Sequence, residues 1–131
     1  MRHIYIVDDD ADVRQSLQLL LATLTDAHID AFDSGTEFAA CAASLDPGVV
    51  LLDYYMPGLN GLAVLEQIVA QRLPFSVVMI TAHEDVNVAV DALAAGACDF
   101  LEKPYEYENL LMVLRIAFAN LDRMTADRPE V

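Results

Sequence analysis

Short apolar runs alternate along the chain with longer segments in which apolar residues recur every three or four positions. The short runs are rich in β-branched residues and predict strands, whereas the longer segments predict amphipathic helices. Five strand–helix pairs follow one another in this way. Such alternation is typical of a parallel sheet with helices on both faces, so the sequence predicts a single α/β domain.

The same pattern sets the expected boundaries of the elements. Strands are expected at residues 3–7, 28–32, 49–52, 76–80 and 98–101, and helices at about 12–25, 35–42, 61–72, 85–95 and 107–123. Expected caps are Asp12 and Ser34 at the starts of the first two helices and Gly96 at the end of the fourth. The third helix is expected to bury Leu62, Leu65, Ile68 and Val69.

The composition narrows the class of protein further. The 131 residues are 56% hydrophobic, which is enough for one core of ordinary domain size. Acidic residues outnumber basic ones by 21 to 7 and give a formal net charge of −14, so direct binding to duplex DNA is not expected. No segment approaches the length of a membrane span or resembles a secretion signal, and the expected location is the cytoplasm.

Charged residues stand directly after three of the predicted strands. The first strand ends in Asp8 and Asp9, the third ends in Asp53, and Lys103, the only lysine of the chain, follows the fifth. Ligands of an open parallel sheet bind at the carboxyl ends of its strands, so these side chains are expected at one edge. Carboxylates about 4 Å apart repel by about 4 kcal/mol per pair. Mg²⁺, which prefers oxygen ligands, and Lys103 would offset that repulsion.

A purely structural interpretation exists for the same residues. The acidic run would then be a solvated turn that caps the first helix, and Asp10 and Asp12 fit that role. A lysine considered alone is most often a surface residue. For Asp8 and Asp9 the preceding apolar strand argues against this interpretation, because charges next to a buried strand need partners.

Four segments in order resemble the receiver domains of two-component response regulators. They are the Asp8–Asp9 pair, the D-x-x-M-P-x-x-x-G loop of residues 53–61, the Thr81–Ala82 pair and the FLEKP segment of residues 100–104. The resemblance extends from about residue 3 to residue 122 and is greatest to receivers of FixJ-type regulators. It implies a flavodoxin-like fold, which is a doubly wound sheet of five parallel strands in the order 2-1-3-4-5.

The resemblance assigns a phosphoacceptor and a set of metal ligands. Asp53 would accept a phosphoryl group from the phosphohistidine of a sensor histidine kinase. Asp9 and Asp53 would ligate Mg²⁺ directly, Asp8 would hold it through water, and the backbone carbonyl of Tyr55 would complete the protein ligands. The side chains of Tyr55 and His83 occupy positions that tune dephosphorylation, while an exposed loop histidine is the simpler alternative for His83.

The resemblance also implies a conformational switch. Thr81 and Lys103 would stabilise the oxygens of the transferring phosphoryl group, and Thr81 would then move inward with Phe100 following it. Ordinary strand packing is the alternative for Phe100. Pro104 would follow a cis peptide bond.

By this resemblance the chain is a signalling module rather than an enzyme acting on an outside substrate. Residues 1–124 would form the receiver, and residues 125–131 would be a linker or a disordered tail. Phosphorylation would favour a homodimer through the face made by helix four and strand five. An output domain outside this sequence would contact DNA and control transcription.

Three other functions stay open at this point. A stand-alone receiver would act only through protein–protein contacts. A Mg²⁺-dependent phosphatase with an aspartyl-phosphate intermediate would need a D-x-D motif, which the sequence Asp53-Tyr54-Tyr55 lacks. A flavin-binding protein would need a phosphate-binding loop rich in serine, threonine and glycine after strand one, where an acidic run stands instead.

Overall fold

The computed structural model describes residues 2–82 and 85–126, in which five strands alternate with five α-helices. The strands are β1 (His3–Val7), β2 (His28–Phe32), β3 (Gly48–Asp53), β4 (Phe75–Ala82) and β5 (Asp99–Lys103). The helices are α1 (Ala11–Leu24), α2 (Gly35–Cys41), α3 (Gly61–Ala70), α4 (Val86–Ala95) and α5 (Tyr107–Ala126), and a 3₁₀ turn at Ala42–Ser44 follows α2. The strand–helix alternation predicted from the sequence is confirmed.

The five strands form one parallel sheet in the order β2-β1-β3-β4-β5. This is the order that the resemblance implied. The central strand β3 is buried along its whole length, which explains why its sequence is a continuous apolar run. The strand order reverses direction between β1 and β3, so the carboxyl ends of these two strands open a crevice at one edge of the sheet.

Helices cover both faces of the sheet and enclose two apolar cores. Side chains of each strand alternate between the two cores because successive residues point to opposite faces. The core under α1 and α5 includes Ile4, Ile6, Leu17, Leu51, Ile80 and Leu114. The core under α2, α3 and α4 includes Tyr5, Val7, Phe38, Leu52, Leu65 and Met79.

The first helix begins one residue earlier than expected. Asp12 is not its N-cap, because α1 starts at Ala11 and Asp10 is the capping residue. The Asp10 carboxylate accepts hydrogen bonds from the backbone N–H groups of Asp12 and Val13. The capping predictions for Ser34 and Gly96 are confirmed: Ser34 caps α2, and Gly96 ends α4 with φ of 120°.

The buried face of α3 differs from the prediction. Its buried residues are Gly61, Val64, Leu65 and Ile68. A Cβ atom at residue 61 would lie 2.6 Å from the backbone oxygen of Asp53. This face of α3 can therefore approach β3 closely only because residue 61 is a glycine. The predicted burial of Val69 is wrong, since this residue is 48% exposed.

The last helix continues past its expected end at Arg123. It runs to Ala126, so the first two residues of the predicted tail, Thr125 and Ala126, are helical. Residues 127–131 lie outside the described part of the chain, and the boundary between residues 1–124 and 125–131 stays a prediction. Among the helices described, none combines the length and the apolar character that a membrane crossing requires.

Candidate functional site

The strand register brings the predicted site residues to one edge of the sheet. Asp53 is the last residue of β3, and Asp8 directly follows β1, the neighbouring strand. Lys103, the last residue of β5, pairs with Ala82 at the end of β4. Thr81 directly precedes Ala82, so two carboxylates, a hydroxyl and an ammonium group leave adjacent strands at similar levels.

Three carboxylates at this edge form a cluster. Asp8, Asp9 and Asp53 each offer an oxygen, and these oxygens all lie within 4.8 Å of one another. Asp8 and Asp53 are buried, with 1% and 5% of their surface exposed, whereas Asp9 is exposed. The backbone N–H of Asp10 donates a hydrogen bond to Asp8 Oδ1 at 2.9 Å and thereby orients that carboxylate.

Lys103 places a cation in direct contact with this cluster. Its ammonium donates to Asp53 Oδ1 at 3.1 Å and to Asp8 Oδ2 at 3.4 Å. Burial, followed by the charge of Asp8, raises the pKa of Asp53 to about 6 although Lys103 acts in the opposite direction. Burial alone would lower the pKa of Lys103, but Asp53 and Asp8 outweigh it and raise that pKa. One lysine thus compensates only part of the negative charge.

The donor atoms of the cluster suit a hard divalent cation. All three side chains offer carboxylate oxygens, the ligands that Mg²⁺ and Ca²⁺ prefer. Within the described residues no histidine or cysteine belongs to the cluster, and such nitrogen or sulfur ligands would favour zinc or copper. The residues present therefore fit a metal ion that would relieve the repulsion between the carboxylates.

Thr81 places an unsatisfied hydroxyl at the same edge. It is 1% exposed, and its Oγ1 has no hydrogen-bond partner within residues 2–82 and 85–126. A buried hydroxyl without a partner costs about 1 to 3 kcal/mol. This hydroxyl is consequently free to donate to an acceptor that arrives beside Asp53.

Phe100 lies on the same face of the sheet as Thr81. Phe100 pairs with Met79, and Thr81 pairs with Glu102. Residues two apart on one strand share a face, so both side chains point toward the helices α2 to α4. The half-buried ring of Phe100 packs against the core on that face. The structure thus places Phe100 close in register to Thr81, while its predicted movement stays a prediction.

Tyr55 extends from the loop after β3 to the start of α4. Its side chain is 56% exposed, and its hydroxyl donates a hydrogen bond to the Asp85 carboxylate. This bond to Asp85 is the main reason that the pKa of Tyr55 is raised. The ring also meets Tyr54 edge-on, with 4.7 Å between ring centroids. His83, the other predicted tuning residue, lies outside the described residues.

Backbone shape is well defined on both sides of the carboxylate cluster. Gly58 has φ of 75°, a conformation that favours glycine, in the loop between β3 and α3. Gly61, the first residue of α3, lies against the backbone of Asp53, as described above. The peptide bond between Lys103 and Pro104 is cis.

Two contacts of the site were not predicted from the sequence. Arg14 donates to the backbone carbonyl of Asp8 at 2.8 Å and adds a second cation beside the acidic turn. A basic residue near the start of a helix opposes the helix dipole, and this mismatch is the signal that could have identified Arg14. The bond between Tyr55 and Asp85 carries no such signal, because it joins loops that are distant in sequence.

Comparison with known proteins gives a consistent result. Residues 4–115 match the response regulator receiver domain family. The transcriptional regulatory protein FixJ of Bradyrhizobium diazoefficiens is 41% identical over 115 residues, which are 88% of this chain and 56% of that protein. The DNA-binding transcriptional regulator NtrC of Salmonella typhimurium is 34% identical over 125 residues, which are 95% of this chain and 26% of that protein. The chain thus spans about half or less of the length of these relatives.

Solved structures agree on the fold. The crystal structure of FixJ-N has a TM-score of 0.83 at 33% identity and covers 89% of this chain and 93% of that one. Full-length FixJ from B. japonicum has a TM-score of 0.87 at 38% identity and covers 95% of this chain and 61% of that one. The fold is therefore shared over 89% and 95% of this chain, respectively.

Proposed function

This chain belongs to the response regulator receiver domain family, and we propose from that premise that it is a signalling switch phosphorylated on Asp53. The observation that carries the proposal is the environment of Asp53. Its buried carboxylate has two further carboxylates within 4.8 Å and the Lys103 ammonium at 3.1 Å. A nucleophile, a cation site and a fixed positive charge are the parts that phosphoryl transfer to a carboxylate requires.

In the proposed reaction an oxygen of Asp53 attacks the phosphorus of a phosphohistidine on a sensor histidine kinase. A P–O bond forms and the P–N bond breaks, with its electron pair left on the imidazole nitrogen, which takes up a proton from solvent. Lys103 already contacts the attacking carboxylate and would stabilise charge that develops on the phosphoryl oxygens. Hydrolysis of the resulting acyl phosphate would release inorganic phosphate and reset the switch, so each cycle would consume one phosphoryl group and one water molecule.

Mg²⁺ is the proposed metal of the site. Asp9 and Asp53 would hold it directly, Asp8 through water, and Tyr55 through its backbone carbonyl. When bound, the ion would neutralise the carboxylates and polarise the phosphoryl oxygens. The exposure of Asp9 supports this assignment, because it leaves the cluster open to solvent and to the phosphodonor.

Thr81 and Phe100 are the proposed relay from the phosphoryl group to the surface. A phosphoryl oxygen on Asp53 would be an acceptor for the Thr81 hydroxyl, which otherwise lacks a partner in the described chain. Movement of Thr81 toward that oxygen would open space on the face that it shares with Phe100. Phenylalanine has no hydroxyl, so packing alone would govern the position of the ring.

The face formed by α4 and β5 is the proposed surface for a second copy after phosphorylation. Helix α4 exposes Val86, Val90 and Leu93, which recur at helical spacing and form one apolar stripe. FixJ and NtrC are transcriptional regulators by name and are longer than this chain. We therefore infer a DNA-binding output domain outside this sequence and a cytoplasmic location, with a stand-alone receiver as the alternative.

Tyr55 and His83 are proposed to set the lifetime of the acyl phosphate. The exposed Tyr55 side chain stands two residues after Asp53, where it can limit the approach of water. His83 is proposed from its sequence position, two residues after Thr81. Substitution of Tyr55 or His83 by alanine should change the rate at which phosphate is released, and unchanged decay in both variants would count against these roles.

The central test is phosphorylation by a small-molecule phosphodonor, such as acetyl phosphate, followed by intact mass measurement. The wild-type chain should gain one phosphoryl group in the presence of Mg²⁺ and none in the presence of a chelator. Asp53→Asn should gain none, whereas Asp91→Asn, which neutralises an exposed carboxylate on α4, should react like the wild type. An adduct that persists in Asp53→Asn would contradict the proposal.

A further inference from the structure

Asp85 stands at the N-cap position of α4 but does not cap the helix. Among the described residues, the Asp85 side chain makes no hydrogen bond to the first N–H groups of α4. The starts of α1, α2 and α3 differ in this respect, because the side chains of Asp10, Ser34 and Asn60 each accept a hydrogen bond there. Aspartate is among the best capping residues, so the behaviour of Asp85 needs a physical reason.

The reason is a competing partner for the carboxylate. Asp85 accepts a hydrogen bond from the Tyr55 hydroxyl instead. Its backbone conformation agrees with this, since ψ is 67° at Asp85 and between 115° and 171° at the three residues that do cap. Tyr55 follows β3 and Asp85 follows β4, so the bond spans the sheet edge where Asp53 and Thr81 lie.

We propose that the Asp85 carboxylate has two alternative partners, the Tyr55 hydroxyl in the unphosphorylated chain and the first N–H groups of α4 in the phosphorylated chain. This regulation rests on the proposed phosphorylation of Asp53. A phosphoryl group adds negative charge two residues before Tyr55 and disfavours a second anion bound to that loop. The start of a helix favours negative charge, so the carboxylate gains by moving there.

This change of hydrogen-bond partner would connect the phosphorylation site to the exposed surface of α4. Capping fixes the first turn of the helix, and that turn carries Val86, which is 64% exposed. Release of Tyr55 at the same moment frees the loop that follows the phosphoacceptor. One carboxylate would therefore transmit the charge change to the apolar stripe of α4, in addition to the proposed movement of Thr81 and Phe100.

The first test uses unphosphorylated protein in the presence of a chelator. Tyr55→Phe removes the competing hydroxyl, so Asp85 should cap α4. Amide hydrogen exchange at Asn87 and Val88, followed by NMR, should then slow about fivefold, which corresponds to a cap of about 1 kcal/mol. Tyr54→Phe removes the hydroxyl of the neighbouring ring and is the matched control, with no expected change. Equal exchange rates in Tyr55→Phe and the wild type would overturn the proposal.

Two variants of Asp85 make the test specific. Adding Asp85→Ala to Tyr55→Phe should abolish the slowing, because no carboxylate is left to cap the helix. Asp85→Asn can still cap but carries no charge, so phosphorylation should slow exchange at Asn87 and Val88 in the wild type and leave it unchanged in Asp85→Asn. Persistent slowing in the double variant would also overturn the proposal.

The outcomes separate this inference from the proposed function. The experiment on Tyr55→Phe contains no phosphodonor and is unaffected if Asp53 is not phosphorylated. In the second experiment intact mass reports whether the adduct has formed. Absence of the adduct contradicts the proposed function, whereas an adduct with unchanged exchange in the wild type contradicts the Asp85 switch.

Discussion

The Lys103 ammonium lies 3.1 Å from Asp53 Oδ1, yet the pKa of Asp53 is raised to about 6. An ion pair by itself would lower a carboxyl pKa. Burial and the neighbouring Asp8 charge outweigh the ion pair in this case. The fold thus holds Asp53 in a state that neutralisation by a proton or by a further cation would stabilise.

A first prediction concerns the pH dependence of stability. The pKa of Asp53 is raised from its ordinary value of 3.8 to about 6 in the fold, so the folded chain binds the proton more tightly. Below about pH 4, ionisation of Asp53 therefore does not lower the free energy of unfolding. That free energy then falls as pH rises, until pH exceeds the folded pKa of about 6. Asp53→Asn cannot ionise and has no such loss. Its free energy of unfolding relative to the wild type should rise by about 2 kcal/mol between about pH 4 and about pH 7.

Urea denaturation with a chelator present measures this difference. Asp91→Asn is the control for a general reduction of the net charge, because Asp91 is an exposed residue on α4. A pH-independent difference between Asp53→Asn and the wild type would show that burial does not shift the pKa as described.

A second prediction concerns the metal. Mg²⁺ at about ten times its dissociation constant should raise the free energy of unfolding of the wild type by about 1.4 kcal/mol. Asp9→Asn removes one of the three clustered carboxylates and should lose most of this gain. Asp10→Asn is the matched control, since asparagine caps a helix as well as aspartate and residue 10 is not in the cluster. Thermal unfolding across a Mg²⁺ titration gives the comparison, and equal gains in both variants would refute the assignment of Asp9.

Most of the fold was predictable because the sheet is parallel and buried. Such strands are continuous apolar runs, and charged residues placed directly after them mark the functional edge. The buried face of α3 was not predictable from the sequence, because Val64 and Val69 are both apolar. Only the close approach of Gly61 to β3 determines that Val64 is buried and Val69 is not. The contacts made by Arg14 and Asp85 depend on loop geometry, which the pattern of apolar positions does not determine.

A third prediction contrasts Gly58, in the loop after β3, with Gly61, the first residue of α3. A Cβ at Gly61 would lie 2.6 Å from the Asp53 backbone oxygen and 2.9 Å from Tyr54 Cα, so Gly61→Ala must displace backbone. Gly58→Ala meets no atom closer than 3.9 Å, and its cost is the positive φ alone, about 1 kcal/mol. Gly61→Ala should therefore lower the free energy of unfolding by more than Gly58→Ala and should also reduce Mg²⁺ binding through Asp53. Urea denaturation and Mg²⁺ titration check both parts, and equal losses would contradict the steric argument.

A fourth prediction concerns the unsatisfied hydroxyl of Thr81. Valine has nearly the same shape but lacks the hydroxyl, so Thr81→Val removes a buried polar group that has no partner among the described residues. The unphosphorylated variant should gain about 1 kcal/mol in free energy of unfolding. Thr81→Ser keeps the hydroxyl and loses a buried methyl group, so it should lose about 1 kcal/mol.

Phosphorylation should reverse the advantage of valine at this position. In the wild type and in Thr81→Ser the hydroxyl can donate to a phosphoryl oxygen on Asp53, whereas Thr81→Val leaves that oxygen without this donor. NMR shifts at Phe100 should therefore change on phosphorylation in the wild type and in Thr81→Ser, and change much less in Thr81→Val. Two results together would contradict the prediction: a loss of stability in unphosphorylated Thr81→Val, and NMR shifts at Phe100 that still change on phosphorylation as in the wild type. The hydroxyl would then be neither unsatisfied nor part of the relay. The predicted combination, higher stability with a weaker response, would mean that Thr81 is retained at a cost to the unphosphorylated fold.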